Sequence, residues 1–175
     1  MAASTRERDE VVTMAETFVG TMAMFAGEYD LRGWHRCDGR LIPIEGNHAL
    51  YAALRPDTEG QSFRLPKKAN PVAGVRYVVN ADGTFMQRDD PRPPFVPDVV
   101  GLVAGWARRK PPANCLFAEG QVLPIRDNAE LYSIIGHRFG GASQTAFQLP
   151  DLRDVLENDE EQAIICVKGK YPSRP

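Results

Sequence analysis

Gly33–Ile44 reads Gly-Trp-His-Arg-Cys-Asp-Gly-Arg-Leu-Ile-Pro-Ile, and 81 positions later Asn114–Ile125 reads Asn-Cys-Leu-Phe-Ala-Glu-Gly-Gln-Val-Leu-Pro-Ile. The shared phrase is acid, Gly, polar, two apolar residues, Pro, Ile, so Asp38 answers Glu119, Gly39 answers Gly120 and Pro43 answers Pro124. An acid-Gly pair between apolar runs signals a tight turn, because Gly takes positive φ freely and the acid bonds the local backbone. The match extends outward at the same offset: Gly20 to Gly101, Phe25 to Trp106, Asn47 to Asn128, Leu50 to Leu131 and Tyr51 to Tyr132. After three extra residues in the second copy it resumes, with Phe63-Arg64-Leu65-Pro66 against Phe147-Gln148-Leu149-Pro150. Tyr77-Val78-Val79 then aligns with Ala163-Ile164-Ile165, and Gly83-Thr84-Phe85 with Gly169-Lys170-Tyr171. A repeat of about 70–80 residues is longer than a solenoid unit and reads as two tandem domains.

The expected organisation is an N-terminal arm (1–16), a first domain (17–88), a linker (89–97) and a second domain (98–175). Ser4 and Glu7 have capping-box spacing ahead of Val11, Ala15 and Phe18, which predicts a helix over about residues 5–16. Asp89–Asp98 holds four prolines in ten residues, which excludes a helix or central strand and predicts a stiff extended linker. Thr17–Ala26 suits a half-buried strand, and Trp34–Cys37 with Arg40–Ile44 suits a hairpin about Asp38-Gly39. Asn47 and Asn128 are placed as N-caps of short helices, the second carrying Leu131, Tyr132, Ile134 and Ile135 and stopped by Gly136. Polar loops are expected over Asp57–Ser62 and Gly140–Thr145, and closing strands over Val75–Val79 and Ala163–Val167.

Composition bounds the function. At 43% hydrophobic and 25% charged residues the 175-residue chain is globular rather than disordered. A net charge of −2 and a pI near 5.9 carry no nucleic-acid footprint, so Arg108-Arg109-Lys110 and Lys67-Lys68 read as solvated surface. No run of 18 apolar residues occurs to span a membrane, and the N-terminus lacks the apolar stretch of a signal peptide. Cys37, Cys115 and Cys166 fall at non-equivalent places and fit no zinc spacing, which predicts reduced, buried thiols in a protein made in the cytoplasm.

No catalytic motif is found, and no catalytic, cofactor-binding or metal residue is assigned. His35 and Cys37, with His48 nearby, would be the start of a metal site, but a fourth ligand is not marked, and a half-exposed His beside a core Cys is the better reading. Asp38 and Glu119 would be paired acids only if the domains faced each other; turn chemistry explains them better. Gly136, Gly140 and Gly141 read as loop glycines rather than an anion cradle, lacking the strand-then-helix setting. Trp34, Trp106, Tyr51, Tyr132, Phe63 and Phe147 recur at or beside equivalent positions, as core anchors would.

Phe25-Ala26-Gly27, Gly33-Trp34, Cys37-Asp38-Gly39, Leu41 and Pro43-Ile44 resemble the opening of the phage tail collar domain, a family of short tail-fibre proteins and small microcystin-dependent-protein relatives. Leu131–Gly136, Phe139-Gly140-Gly141, Gln144-Thr145, Phe147 and Leu149–Arg153 resemble its next phrase, and Ile164 through Pro175 its ending. The first copy departs from the pattern at Lys67-Lys68, where the family has Asp-Leu-Arg, and the second at Asn114-Cys115, where it has Gly-Trp.

The resemblance implies a β-rich α+β fold with short helices and long loops. It implies a non-enzymatic structural component, without cofactor, of a phage tail or tail-derived contractile injection particle at the collar, fibre or baseplate. Its partners would be other particle subunits, and the reading allows a homo-oligomer. The rival is a receptor- or glycan-binding tip that reads with the loops at Asp57–Ser62 and Gly140–Thr145. An enzyme or metalloprotein reading rests on His35 and Cys37 alone.

Overall fold

The computed structural model describes residues 18–84, 97–107, 109–141, 144–156 and 161–174. The helix expected over residues 5–16 and the linker up to residue 96 lie outside the described residues.

The first copy supplies β1 (Met22–Phe25), β2 (Trp34–Arg36), β3 (Leu41–Pro43), α1 (His48–Leu54), β4 (Thr58–Glu59), β5 (Ser62–Arg64) and β6 (Arg76–Asn80). The second supplies β7 (Leu102–Trp106), β8 (Cys115–Phe117), β9 (Val122–Pro124), α2 (Ala129–Ile135), β10 (Ala146–Gln148) and β11 (Gln162–Cys166). A 3-10 turn over Ile125–Asp127 precedes α2. The fold is therefore β-rich α+β, with two helices of seven residues each among the described residues.

One antiparallel sheet carries both copies, in the order β2-β6-β1-β7-β11-β8. Its two halves meet where β1 pairs with β7, Met24 opposite Val103 and Phe25 opposite Leu102. Carried one step further, that register sets Ala23 opposite Ala104, and these residues are equivalents in the repeat. Two equivalent strands paired antiparallel about equivalent residues define a local two-fold axis perpendicular to the sheet. Alanine suits this point, being the smallest side chain that still belongs in a packed strand.

The hydrogen bonds obey the same symmetry. Gly39 N–H donates to the Pro66 carbonyl and Gly120 N–H to the Pro150 carbonyl, each at 3.2 Å. Lys68 N–H to the Cys37 carbonyl is matched by Leu152 N–H to the Ala118 carbonyl, each at 2.8 Å. Tyr51 leans on Phe63 with ring centres 5.4 Å apart, and Tyr132 on Phe147 with 5.5 Å. Phe63, Phe147, Leu50 and Leu131 are fully buried. Each large apolar side chain so enclosed contributes about 1.5–3 kcal/mol of transfer free energy. The tyrosines and Trp34 are only partly buried, so the recurring aromatics divide into true core (Phe63, Phe147, Trp106) and its rim.

Three local expectations are corrected. β2 and β3 do not form a hairpin: β2 pairs with β6 in the large sheet, and β3 pairs with β5 in a small three-stranded one. Asp38-Gly39 is the corner between the sheets, where Gly39 takes φ of +78° and Asp38 Oδ1 accepts the Arg40 N–H at 3.0 Å. Asn47 and Asn128 do occupy the N-cap positions, but neither side chain caps its helix. Each amide turns back and donates to the carbonyl of the preceding Pro43 or Pro124 (3.0 and 3.1 Å), so it closes the turn into the helix instead. The segment Asp57–Ser62 is also no free loop, since Thr58–Glu59 and Ser62–Arg64 pair about Gly60-Gln61.

Candidate functional site

The repeat builds the same groove twice, once on each flank of the large sheet. In the first copy it lies against Cys37, Asp38, Arg76 and Tyr77, with a volume of about 560 Å³. In the second it lies against the equivalent residues Ala118, Glu119, Gln162 and Ala163, with a volume of about 390 Å³. Backbone bonds shape both walls alike: Cys37 N–H donates to the Tyr77 carbonyl (2.9 Å) and Ala118 N–H to the Ala163 carbonyl (2.8 Å).

The linings have diverged in charge. Arg36, Lys68 and Arg76 line the first groove with Glu28 and Asp38. Arg36 is ion-paired with Asp30. Arg76 donates to the Gly27 carbonyl at 2.6 Å, and burial, followed by the nearby Arg36 charge, lowers its pKa. Lys68 Nζ stands 5.8 Å from the centre of the Tyr77 ring, at cation–π distance. In the second groove Glu119, Asp154 and Glu161 surround Arg153. Arg153 is held by Asp151, Nε to Oδ1 at 2.9 Å, and that hydrogen bond keeps the Asp151 carboxyl below its ordinary pKa. The first groove thus sets three cations against two carboxylates, and the second one cation against three.

A strap crosses from the second copy to the first. Arg138, just past α2, donates from Nε to Glu28 Oε1 (3.0 Å) and from a terminal nitrogen to the Ala26 carbonyl (2.7 Å). Gly74 lies beneath it; a Cβ there would come within 2.4 Å of the Arg138 side chain. Phe25 makes the seam apolar as well, since its ring and Ile134 of α2 both lie against Gly101.

The small sheets present apolar edges. Leu41 on β3 is 43% exposed and its equivalent Val122 on β9 is 59% exposed. Both strands are sheet edges. In the second copy Val122, Leu123, Ile125 and Ala146 continue as an apolar shelf beside the described end of the Gly-rich loop.

The residues weighed from sequence are placed as follows. Cys37 is enclosed with Leu50 and Phe63, and burial pushes its thiol up to about 11. The His35 ring meets Asn47 Oδ1 at 3.2 Å, whereas His48 is exposed on α1, so the three do not converge. Asp38 and Glu119 follow β2 and β8, the two outermost strands, with four strands between them. Gly140 and Gly141 pack on β10, and a Cβ on Gly141 would come within 2.8 Å of the Gln148 nitrogen. The grooves and the Arg138 strap have no sequence signal, because their walls come from segments far apart in the chain.

A protein-family model described as the Phage Tail Collar Domain matches residues 20–69 and 101–156, more than half of the chain. The comparisons found no match among curated proteins or among solved structures. The two matched stretches cover the two halves of the symmetric sheet, from β1 and from β7 onward, and both carry a structural tail domain. The chain belongs to the phage tail collar domain family, as two diverged copies joined in one six-stranded sheet.

Proposed function

We propose that this protein is a non-enzymatic subunit of a phage tail or a tail-derived contractile injection particle, sited at the collar, fibre or baseplate. It would act through protein–protein contacts as one body in two units, residues 17–88 and 98–175. The observation that carries the reading is the exposure of Leu41 and Val122 at equivalent edge positions. Exposed apolar residues on a sheet-edge strand, unpaired along one side, invite another chain to cover them. Neighbouring particle subunits, or a second copy of this chain, are the occupants that a tail assembly offers. The protein would be made in the cytoplasm and then incorporated.

The test is to tag the chain in its host, purify intact tail-like particles and quantify it by mass spectrometry. Recovery in fixed proportion to the other subunits supports the reading, and loss of incorporation in Leu41→Glu/Val122→Glu identifies the edges as the contact. Abundant free protein with none in intact particles overturns it.

The cation-rich first groove favours a second reading, a tip that binds an acidic glycan or receptor segment. A glycan array with no acidic hits, and cell attachment unchanged in Lys68→Ala/Arg36→Ala, would remove it.

A further inference from the structure

We propose that Cys115 and Cys166 are a cross-strand dithiol poised to form a disulfide, which would staple the edge strand β8 to the sheet. The two residues face each other directly in the β8–β11 pairing. Ala118 N–H donates to the Ala163 carbonyl and Val167 N–H to the Asn114 carbonyl, which marks the hydrogen-bonded rungs on either side. By alternation the Cys115–Cys166 rung is a non-hydrogen-bonded one. Such a rung sets Cα atoms about 4.5 Å apart, within the range a disulfide spans. The first copy holds Trp34 opposite Asn80 at the equivalent rung, so the cysteine pair belongs to the second copy alone.

The surroundings make the thiols unequal. Cys166 Sγ lies 3.7 Å from the Asn114 side-chain nitrogen, and Cys115 lies 3.6 Å from the Asn114 side-chain oxygen. Cys115 Sγ also faces the Pro97 carbonyl at 3.7 Å, so both oxygens beside it disfavour a thiolate, whereas Cys166 Sγ receives the Asn114 amide N–H, which favours one. Cys166 is therefore the nucleophile. Its thiolate attacks one sulfur of a low-molecular-weight disulfide such as oxidised glutathione, breaking that S–S bond and releasing one small thiol. Cys115 then loses its proton and attacks Cys166 Sγ, forming the protein disulfide and expelling the second small thiol. Two protein thiols are oxidised and one small disulfide is reduced to two thiols. Both cysteines are buried, so reaction proceeds through opening of β8, a three-residue strand paired on one side only.

The test incubates the reduced full-length protein with oxidised glutathione, alkylates the remaining thiols in denaturant and maps peptides without reduction. The expected product is an intramolecular link between Cys115 and Cys166, with Cys37 alkylated, a higher thermal midpoint and full reversal by dithiothreitol. Cys115→Ser should stop at a mixed disulfide on Cys166, and Cys166→Ser should react far more slowly at Cys115. Recovery of both cysteines alkylated under conditions that oxidise a model dithiol peptide overturns the proposal. Links that involve Cys37 as often as Cys115 do the same, and so does glutathione captured first on Cys115.

Discussion

The two copies share a scaffold and differ in what they hang on it. Bonds that define the fold repeat to within about 0.1 Å between copies: the Asp38 and Glu119 corners, the Asn amides bonded to Pro43 and Pro124, the Tyr–Phe pairs. The groove linings, the outer rung of the sheet and the helix ends do not repeat. α2 ends at Gly136 with φ of +56°, while α1 ends at Arg55, which takes φ of +46° with a Cβ in place. The phrase shared by both copies thus encodes geometry, and the differences fall on the groove linings, the outer rung and the helix ends.

Core truncation should break this comparison most visibly. Phe147 belongs to the large cluster that also holds Phe25 and Val78 of the first copy, whereas Phe63 sits in a smaller cluster of first-copy residues. Phe147→Ala is expected to cost about 3–5 kcal/mol. With Trp34 and Trp106 as reporters, one per copy, it should lower both melting midpoints together. A shift seen only by Trp106 would mean that the seam does not couple the copies.

Next in size is Gly141→Ala. At φ of +71°, with β10 backbone 2.8 Å from the added Cβ, the substitution should cost at least about 2 kcal/mol in denaturant titration. Gly60→Ala, in the first copy's turn, has φ of +65° but open space and should cost only about 1 kcal/mol. Equal effects would show that crowding plays no part.

Arg138→Ala should cost about 1–3 kcal/mol by leaving the Ala26 carbonyl unmatched, and Glu28→Gln much less, since Glu28 is 75% exposed. The reverse order would make the strap an ion pair rather than a backbone clasp. Arg55→Gly should stabilise the protein by about 0.5–1 kcal/mol by removing the left-handed strain that the second copy avoids with Gly136.

The last comparison concerns pH. The Cys37 thiol is raised to about 11 in the folded chain, so the unfolded chain releases this proton first as pH climbs. The contribution is complete below the ordinary thiol pKa and is lost as pH rises towards about 11, which makes Cys37→Ala flatter than wild type in that window.

Much of this was legible in the chain. The duplication, both helices, and Leu50, Leu131, Phe63 and Phe147 as anchors follow from spacing that any folded copy has to respect. The hairpin reading at Asp38-Gly39 failed because a turn signal is local, whereas the strand partners of β2 and β3 come from segments further along the chain. The shared sheet was equally hidden. β1 carries the same Ala, Met and Phe whether it is an edge or is paired with β7, and the choice is written only in the facing strand. The Cys115–Cys166 rung escaped for the same reason, its members lying in different strands and matching no spacing motif.

The alanine dyad has a consequence for dilution. Two separate chains meeting at Ala23 and Ala104 would part as their concentration fell, because association of two chains depends on concentration. Joined in one polypeptide, the halves see each other at an effective concentration of about millimolar for a short flexible tether, and for any particular tether only as far as it spans the gap. The union then persists at any dilution of the chain. A separable dimer is bound to present identical flanks, but this one keeps its two-fold frame while offering unlike sides, and so can sit between components that do not share a symmetry.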